Sequence, residues 1–146
     1  MLPRRIVHPR TAALLAMCFA MWSSACGGDS STQVSAIAGN YSATVFQVTP
    51  SGQATIDVLA QGGILAISIV ADNSFTGAIS VPASVLGTPF SANLSGTAVQ
   101  SGNTVQFQQS IDTFVRDLTF TIVGTSLQAT NQVAGGASFT ITLTRQ

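Results

Sequence analysis

The sequence predicts an all-β domain folded as a single antiparallel up-and-down barrel of eight or nine strands. Three observations predict it. From about residue 40 onward, runs of Thr, Val, Ile, Ser and Phe alternate with short breaks rich in Gly, Asn and Pro, as expected of half-buried strands separated by turns. Several runs alternate apolar and polar residues with period two, which gives each strand one face to bury. No segment beyond the N-terminal apolar run carries a helical period.

Residues 1–25 stand apart from the domain. Arg4, Arg5, His8 and Arg10 make a basic opening, residues 11–22 are an apolar run, and the small residues Ser23, Ser24 and Ala25 follow. That order defines a secretory signal peptide. The apolar run is well short of the ~20 residues that cross a bilayer. Residues 26–38 begin Cys26-Gly27-Gly28-Asp29 and continue polar and aperiodic, which reads as a flexible tether. The barrel domain is assigned to residues 39–146.

Strands are predicted at 40–48, 54–60, 64–71, 74–81, 91–100, 104–110, 115–123, 127–133 and 137–145. The breaks include Gly62-Gly63, Asp72-Asn73, Gly102-Asn103, Gly124-Thr125 and Gly135-Gly136, where Gly supplies the positive φ of tight hairpins. Alternation is clearest late in the chain. Leu118, Phe120 and Ile122 share one face, as do Phe139, Ile141 and Leu143, with Thr, Ser and Asp opposite. One buried face per strand and consecutive hairpins favour a barrel. A β-sandwich is the alternative, with 82–89 as its one candidate crossover. A membrane barrel would need an apolar outer band with aromatic girdles; here the faces free to point outward are Thr, Ser, Gln and Asp, so the apolar faces are expected inside.

Composition narrows function by what it lacks. Beyond residue 25 the charged side chains are Asp29, Asp57, Asp72, Asp112, Asp117, Arg116 and Arg145, with no Lys, Glu or His. Two scattered cations give no footprint for nucleic acid. A Ser or Cys nucleophile usually needs His or Lys as base, and zinc or copper needs His and Cys. The expectation is therefore a protein that is not an enzyme, with no catalytic residues, no metal and no cofactor.

Ser23-Ser24-Ala25-Cys26 resembles a bacterial lipobox. That resemblance implies cleavage before Cys26 and acylation of its thiol and new amino group, palmitate-type chains included. Cys18 lies in the leader, so Cys26 has no partner thiol in the exported chain. The implied location is the cell envelope, anchored to a membrane through lipid. Gly27 rather than Asp after the cysteine points to the outer membrane by analogy with enteric sorting. Ser23 and Ala25 also suit ordinary signal peptidase, so a secreted or periplasmic soluble protein is the alternative.

The domain resembles small bacterial lipocalin-like lipoproteins of the calycin group. The likeness rests on Gly39-Asn40-Tyr41 opening the first strand, on Ala71-Asp72-Asn73-Ser74-Phe75-Thr76-Gly77 in a central hairpin, on Ser95-Gly96-Thr97, on the run from Val99 to Phe107, and on the closing Phe139-Thr140-Ile141-Thr142-Leu143-Thr144-Arg145. These are hairpin patterns more than chemical motifs. Tyr41 stands where lipocalins commonly carry Trp, and the resemblance implies that Arg145 of the last strand closes one barrel end over it. It also implies a small apolar ligand inside the barrel, with Tyr41, Ile67, Phe75, Phe107, Leu118, Phe120, Phe139 and Ile141 as candidate lining, and Val45 and Ile122 beside them. Asp112, Arg116 and Asp117 form the densest charge cluster and are candidates for a pocket mouth; the simpler reading is an exposed strand-end ion pair. The competing function is a filled barrel acting on an envelope protein partner through its surface, with residues 82–90 as the recognition loop.

Overall fold

A computed structural model describes residues 36–146. The signal peptide, Cys26 and nearly all of the tether lie outside the described residues. The strands are β1 (Gly39–Pro50), β2 (Ile56–Asp57), β3 (Ile64–Ile69), β4 (Ser74–Val81), β5 (Phe90–Ser101), β6 (Thr104–Gln109), β7 (Thr119–Val123), β8 (Ser126–Ala134) and β9 (Ala137–Arg145), with single helical turns α1 (Ala83–Leu86) and α2 (Phe114–Asp117). Successive strands from β3 to β9 pair antiparallel, β1 pairs β3, and β1 also pairs β9. Eight strands thus close an up-and-down barrel. β2 is an extra strand, laid beside the second half of β1 at Gln47↔Asp57 and Val48↔Ile56. The β-sandwich alternative is excluded by that closure.

The barrel has two unlike ends. At the lower end β1 begins, β9 finishes, and the hairpins β3–β4, β5–β6 and β7–β8 turn. At the upper end lie the longer connections, including both helical turns. Backbone bonds lace the lower rim: Ala98 N to Asn73 O, 2.8 Å; Ile122 N to Asn103 O, 2.8 Å; Arg145 N to Thr125 O, 3.1 Å; Gln146 N to Asn40 O, 2.8 Å.

The β3–β4 turn shows how local chemistry sets a hairpin. Asn73 takes φ 66°, a left-handed position that Asn tolerates, and Asp72 Oδ1 accepts from Ser74 N at 2.8 Å. The Ser74 hydroxyl, and next its backbone N–H, hold the Asp72 carboxyl below its ordinary value of 3.8. A lowered folded-state pKa contributes stability that is complete above 3.8 and is lost as pH falls through the lower folded-state value. Asp72→Ala should therefore flatten the acid limb of the stability curve, read from urea midpoints between pH 2 and 6.

Inward parity holds along most strands but breaks twice. In β1 the register slips between Ala43 and Val45, so Thr44 is an extra residue, and the buried set passes from Tyr41 to Phe46 and Val48. Val45, expected inside on unbroken alternation, is turned half outward for this reason. In β8 the slip falls between Ala129 and Gln132, with Asn131 at φ 50°.

Two strand assignments change. Residues 115–117 of the expected 115–123 strand fall in α2, because Val115 tucks fully into the core from a helical turn and the extended chain resumes only at Leu118. Alternation from Leu118 and Phe120 back to Arg116 does not hold across that turn: Arg116 is exposed while Leu118 and Phe120 are at 0%. Of 54–60, only Ile56 and Asp57 pair, because the chain then turns at 58–63 to seat Val58. Gly63 is required there: a Cβ would stand 2.3 Å from Val58 Cγ1.

Candidate functional site

The first candidate site is the barrel interior. Phe75, Phe107 and Phe120 form a chain of edge-on rings with centroids 4.9 and 5.4 Å apart. Phe114 stacks on Phe139 at 4.3 Å and meets Phe46 at 5.9 Å. The first cluster joins β4, β6 and β7, and the second joins β1, α2 and β9. Of the eight expected lining residues, Phe107, Leu118, Phe120 and Ile141 are at 0% exposure, Ile67 and Phe75 at 2%, Tyr41 at 3% and Phe139 at 6%. An internal chamber would expose the side chains that line it as surely as bulk solvent does. The four at 0% are packed on all sides, and the other four nearly so, as side chains are in a protein core.

The lower end is closed by the chain as it enters the barrel. Ile37 is buried at 1%, and Tyr41 Oη donates to Ile37 O at 2.9 Å. Arg145 reaches back from the end of β9. Its Nη2 donates to Tyr41 Oη at 2.9 Å and to Ala36 O at 2.8 Å, its Nε donates to Tyr41 Oη at 3.2 Å, and its guanidinium carbon lies 5.4 Å from the Tyr41 ring centre. Gly39 makes room for it, since a Cβ there would stand 2.8 Å from Arg145 Nε. Register pairs Tyr41 with Arg145 directly, so strand pairing itself places the aromatic and the cation together.

The upper end is closed by side chains from its connections. α2 contributes Val115 and Phe114, α1 contributes Val85, and the β2–β3 turn contributes Val58. α1 ends on Gly87 at φ 78°, whose N–H caps Ala83 O. Outside this closure lies the charge cluster. Arg116 Nη2 meets Asp112 Oδ1 at 2.6 Å and its Nε meets Asp117 Oδ1 at 3.3 Å, with the Asp112 side chain 84% exposed. The cluster is thus on the outer surface beside α2, and the side chains beneath it are packed.

One residue that sequence reasoning did not single out holds the wall together. Where β8 bulges away from β7, their pairing runs only from Thr121↔Gln128 to Val123↔Ser126. The Gln132 carboxamide fills the gap: its Oε1 accepts from Thr119 N at 2.7 Å and its Nε2 donates to Thr119 O. The side chain performs the two-bond exchange that a backbone partner would make. Gln132→Leu should cost about 1–3 kcal/mol by leaving both Thr119 groups without partners in a partly buried seam. Gln132→Glu should retain one bond at most. Chemical denaturation of both variants checks this, with the larger loss expected wherever Thr119 O faces a carboxylate.

The outer wall is polar and carries little charge. β9 turns Ser138, Thr140, Thr142 and Thr144 outward, and Thr44 and Thr144 share a hydroxyl bond of 2.9 Å. Two shallow concavities lie on this outside, one over Ser42, Ala66, Ser68 and Thr76, the other over Ile64, Ser80, Ser91 and Asn93, meeting at Ala78. No family, curated protein or solved structure matches the chain.

Proposed function

We propose that this chain is an exported lipoprotein of lipocalin-like architecture, anchored through Cys26, whose barrel acts on an envelope partner through its outer surface and does not carry a ligand inside. The carrying observation is the interior: Phe107, Leu118, Phe120 and Ile141 at 0% exposure, beneath side-chain closures at both ends. A carrier needs a chamber that buries most of its ligand against apolar walls. Here the same walls bury one another. The sequence supports the anchor, through the leader, the small residues before Cys26 and the lack of a second thiol beyond it. The upper end supplies the irregular surface on which recognition usually sits, with Leu86 of α1 48% exposed and Ile111 43% exposed beside the Asp112–Arg116–Asp117 cluster.

Native mass spectrometry tests the reading on the full chain produced in a bacterial envelope and sprayed without delipidation. The expected mass is the processed polypeptide with its covalent lipid and nothing held by folding alone. A further few hundred daltons, released when the barrel unfolds, would restore the carrier.

A further inference from the structure

We propose that the lower end of the barrel rests on the lipid surface, seated by Val70, Val99 and Val123. The inference builds on the anchored reading above and adds the face that meets the bilayer. Each of the three hairpins at that end carries one exposed valine. Val70 follows β3 and is 51% exposed, Val99 sits near the end of β5 at 38%, and Val123 closes β7 at 49%. All three point outward from the rim, because their neighbours Ile69, Ala98 and Ile122 face the core. They are unpacked by the fold itself.

Chain geometry brings this end to the membrane. The barrel is entered at its lower end, where Ala36 and Ile37 lie against Tyr41 and Arg145. About ten residues separate Cys26 from Ala36, a span of at most about 35 Å even when fully extended. The lower rim is therefore the end of the barrel that the anchor keeps within about 35 Å of the lipid.

Charge makes the same selection. The upper rim also exposes aliphatic side chains, Ile64, Leu86, Ile111 and Val133, but it carries Asp57, Asp112 and Asp117 against the single Arg116. At the lower rim the charged side chains are Asp72 and Arg145, which balance. An anionic headgroup layer repels the upper rim and not the lower one. Three half-exposed valines are too few to hold a free protein on a membrane. Linkage through about ten residues raises the local concentration to about the millimolar range, where weak seating suffices.

The test uses residues 26–146, which contain the whole barrel and its core, with Cys26 coupled to a maleimide-headgroup lipid in vesicles of phosphatidylethanolamine and phosphatidylglycerol. Trp22 lies outside this segment, so an introduced tryptophan is the sole reporter. Val99→Trp should shift its emission to the blue on coupling and be quenched by brominated lipid several-fold more than Leu86→Trp. With Thr125→Trp as reporter, the combined Val70→Ser, Val99→Ser and Val123→Ser substitutions should remove the quenching while the chain still melts cooperatively. Equal quenching at the two ends, or none at Val99→Trp, overturns the proposal. Chemical coupling supplies the anchor, so this result is independent of whether cells acylate Cys26, which the mass of the membrane-purified full chain reports separately.

Discussion

Phe107→Ala should lower the stability of the barrel by about 3–5 kcal/mol, the usual cost of deleting a buried ring from a packed core. Phe107 is at 0% exposure and joins Phe75 to Phe120, so its loss breaks both ring contacts at once. For a domain of this size each kcal/mol moves the melting temperature by roughly 4–8 °C, and calorimetry should record a drop of at least about 12 °C. The same variant acquires what the wild type lacks. An apolar void of that size stays dry and accepts a small guest such as benzene, so benzene should raise the melting temperature of Phe107→Ala and leave the wild type unmoved. A wild-type response equal to the variant's would mean that the interior already holds usable space.

Arg145→Ala should cost about 2–3 kcal/mol, set by the loss of charge-assisted bonds at a partly buried site. The side chain donates twice to Tyr41 Oη and once to Ala36 O, so its removal frees the chain that crosses the lower end and strips the Tyr41 hydroxyl of its donor. Arg145→Lys should restore less than half, because an ammonium on a shorter stem lacks the second nitrogen, Nε, with which the planar fork also holds Tyr41 Oη. Tyr41→Phe should cost less on its own, and the double variant should fall short of the sum of the two, since both remove the same contacts. Urea denaturation gives the energies. Hydrogen exchange at residues 36–38 should accelerate in Arg145→Ala well before global unfolding.

How much of this was legible in the sequence depended on where alternation ran unbroken. β4 and β9 occupy the residues expected of them, 74–81 and 137–145, because period-two patterning runs cleanly between Gly and Asn turns. The Tyr41–Arg145 pairing was legible only through the family resemblance, as no local signal links residues 104 positions apart. The bulges were not legible. The extra residue at Thr44 is itself a good strand former, so nothing marks the slip that turns Val45 out and Phe46 in. α2 was hidden for a similar reason: a four-residue helical turn is too short to show a helical period, and Phe114 and Val115 both favour strands. Gln132 was invisible because its role exists only after the β8 bulge has opened a seam opposite Thr119.

The pairing of β1 with β9 governs how the chain can fold. These strands are matched from Tyr41↔Arg145 to Pro50↔Ala137, so the first strand of the barrel waits for the last. Until residues 137–145 are available, β1 and β8 each keep an open edge and Phe139, Ile141 and Leu143 are missing from the core. Closure joins distant parts of the chain, and such non-local topologies fold slowly. Incomplete forms of the chain have no complete barrel to collapse into, and the final native contacts form only once the last strand is in place. Removal of even the last strand should then leave an aggregation-prone open sheet in place of a smaller barrel.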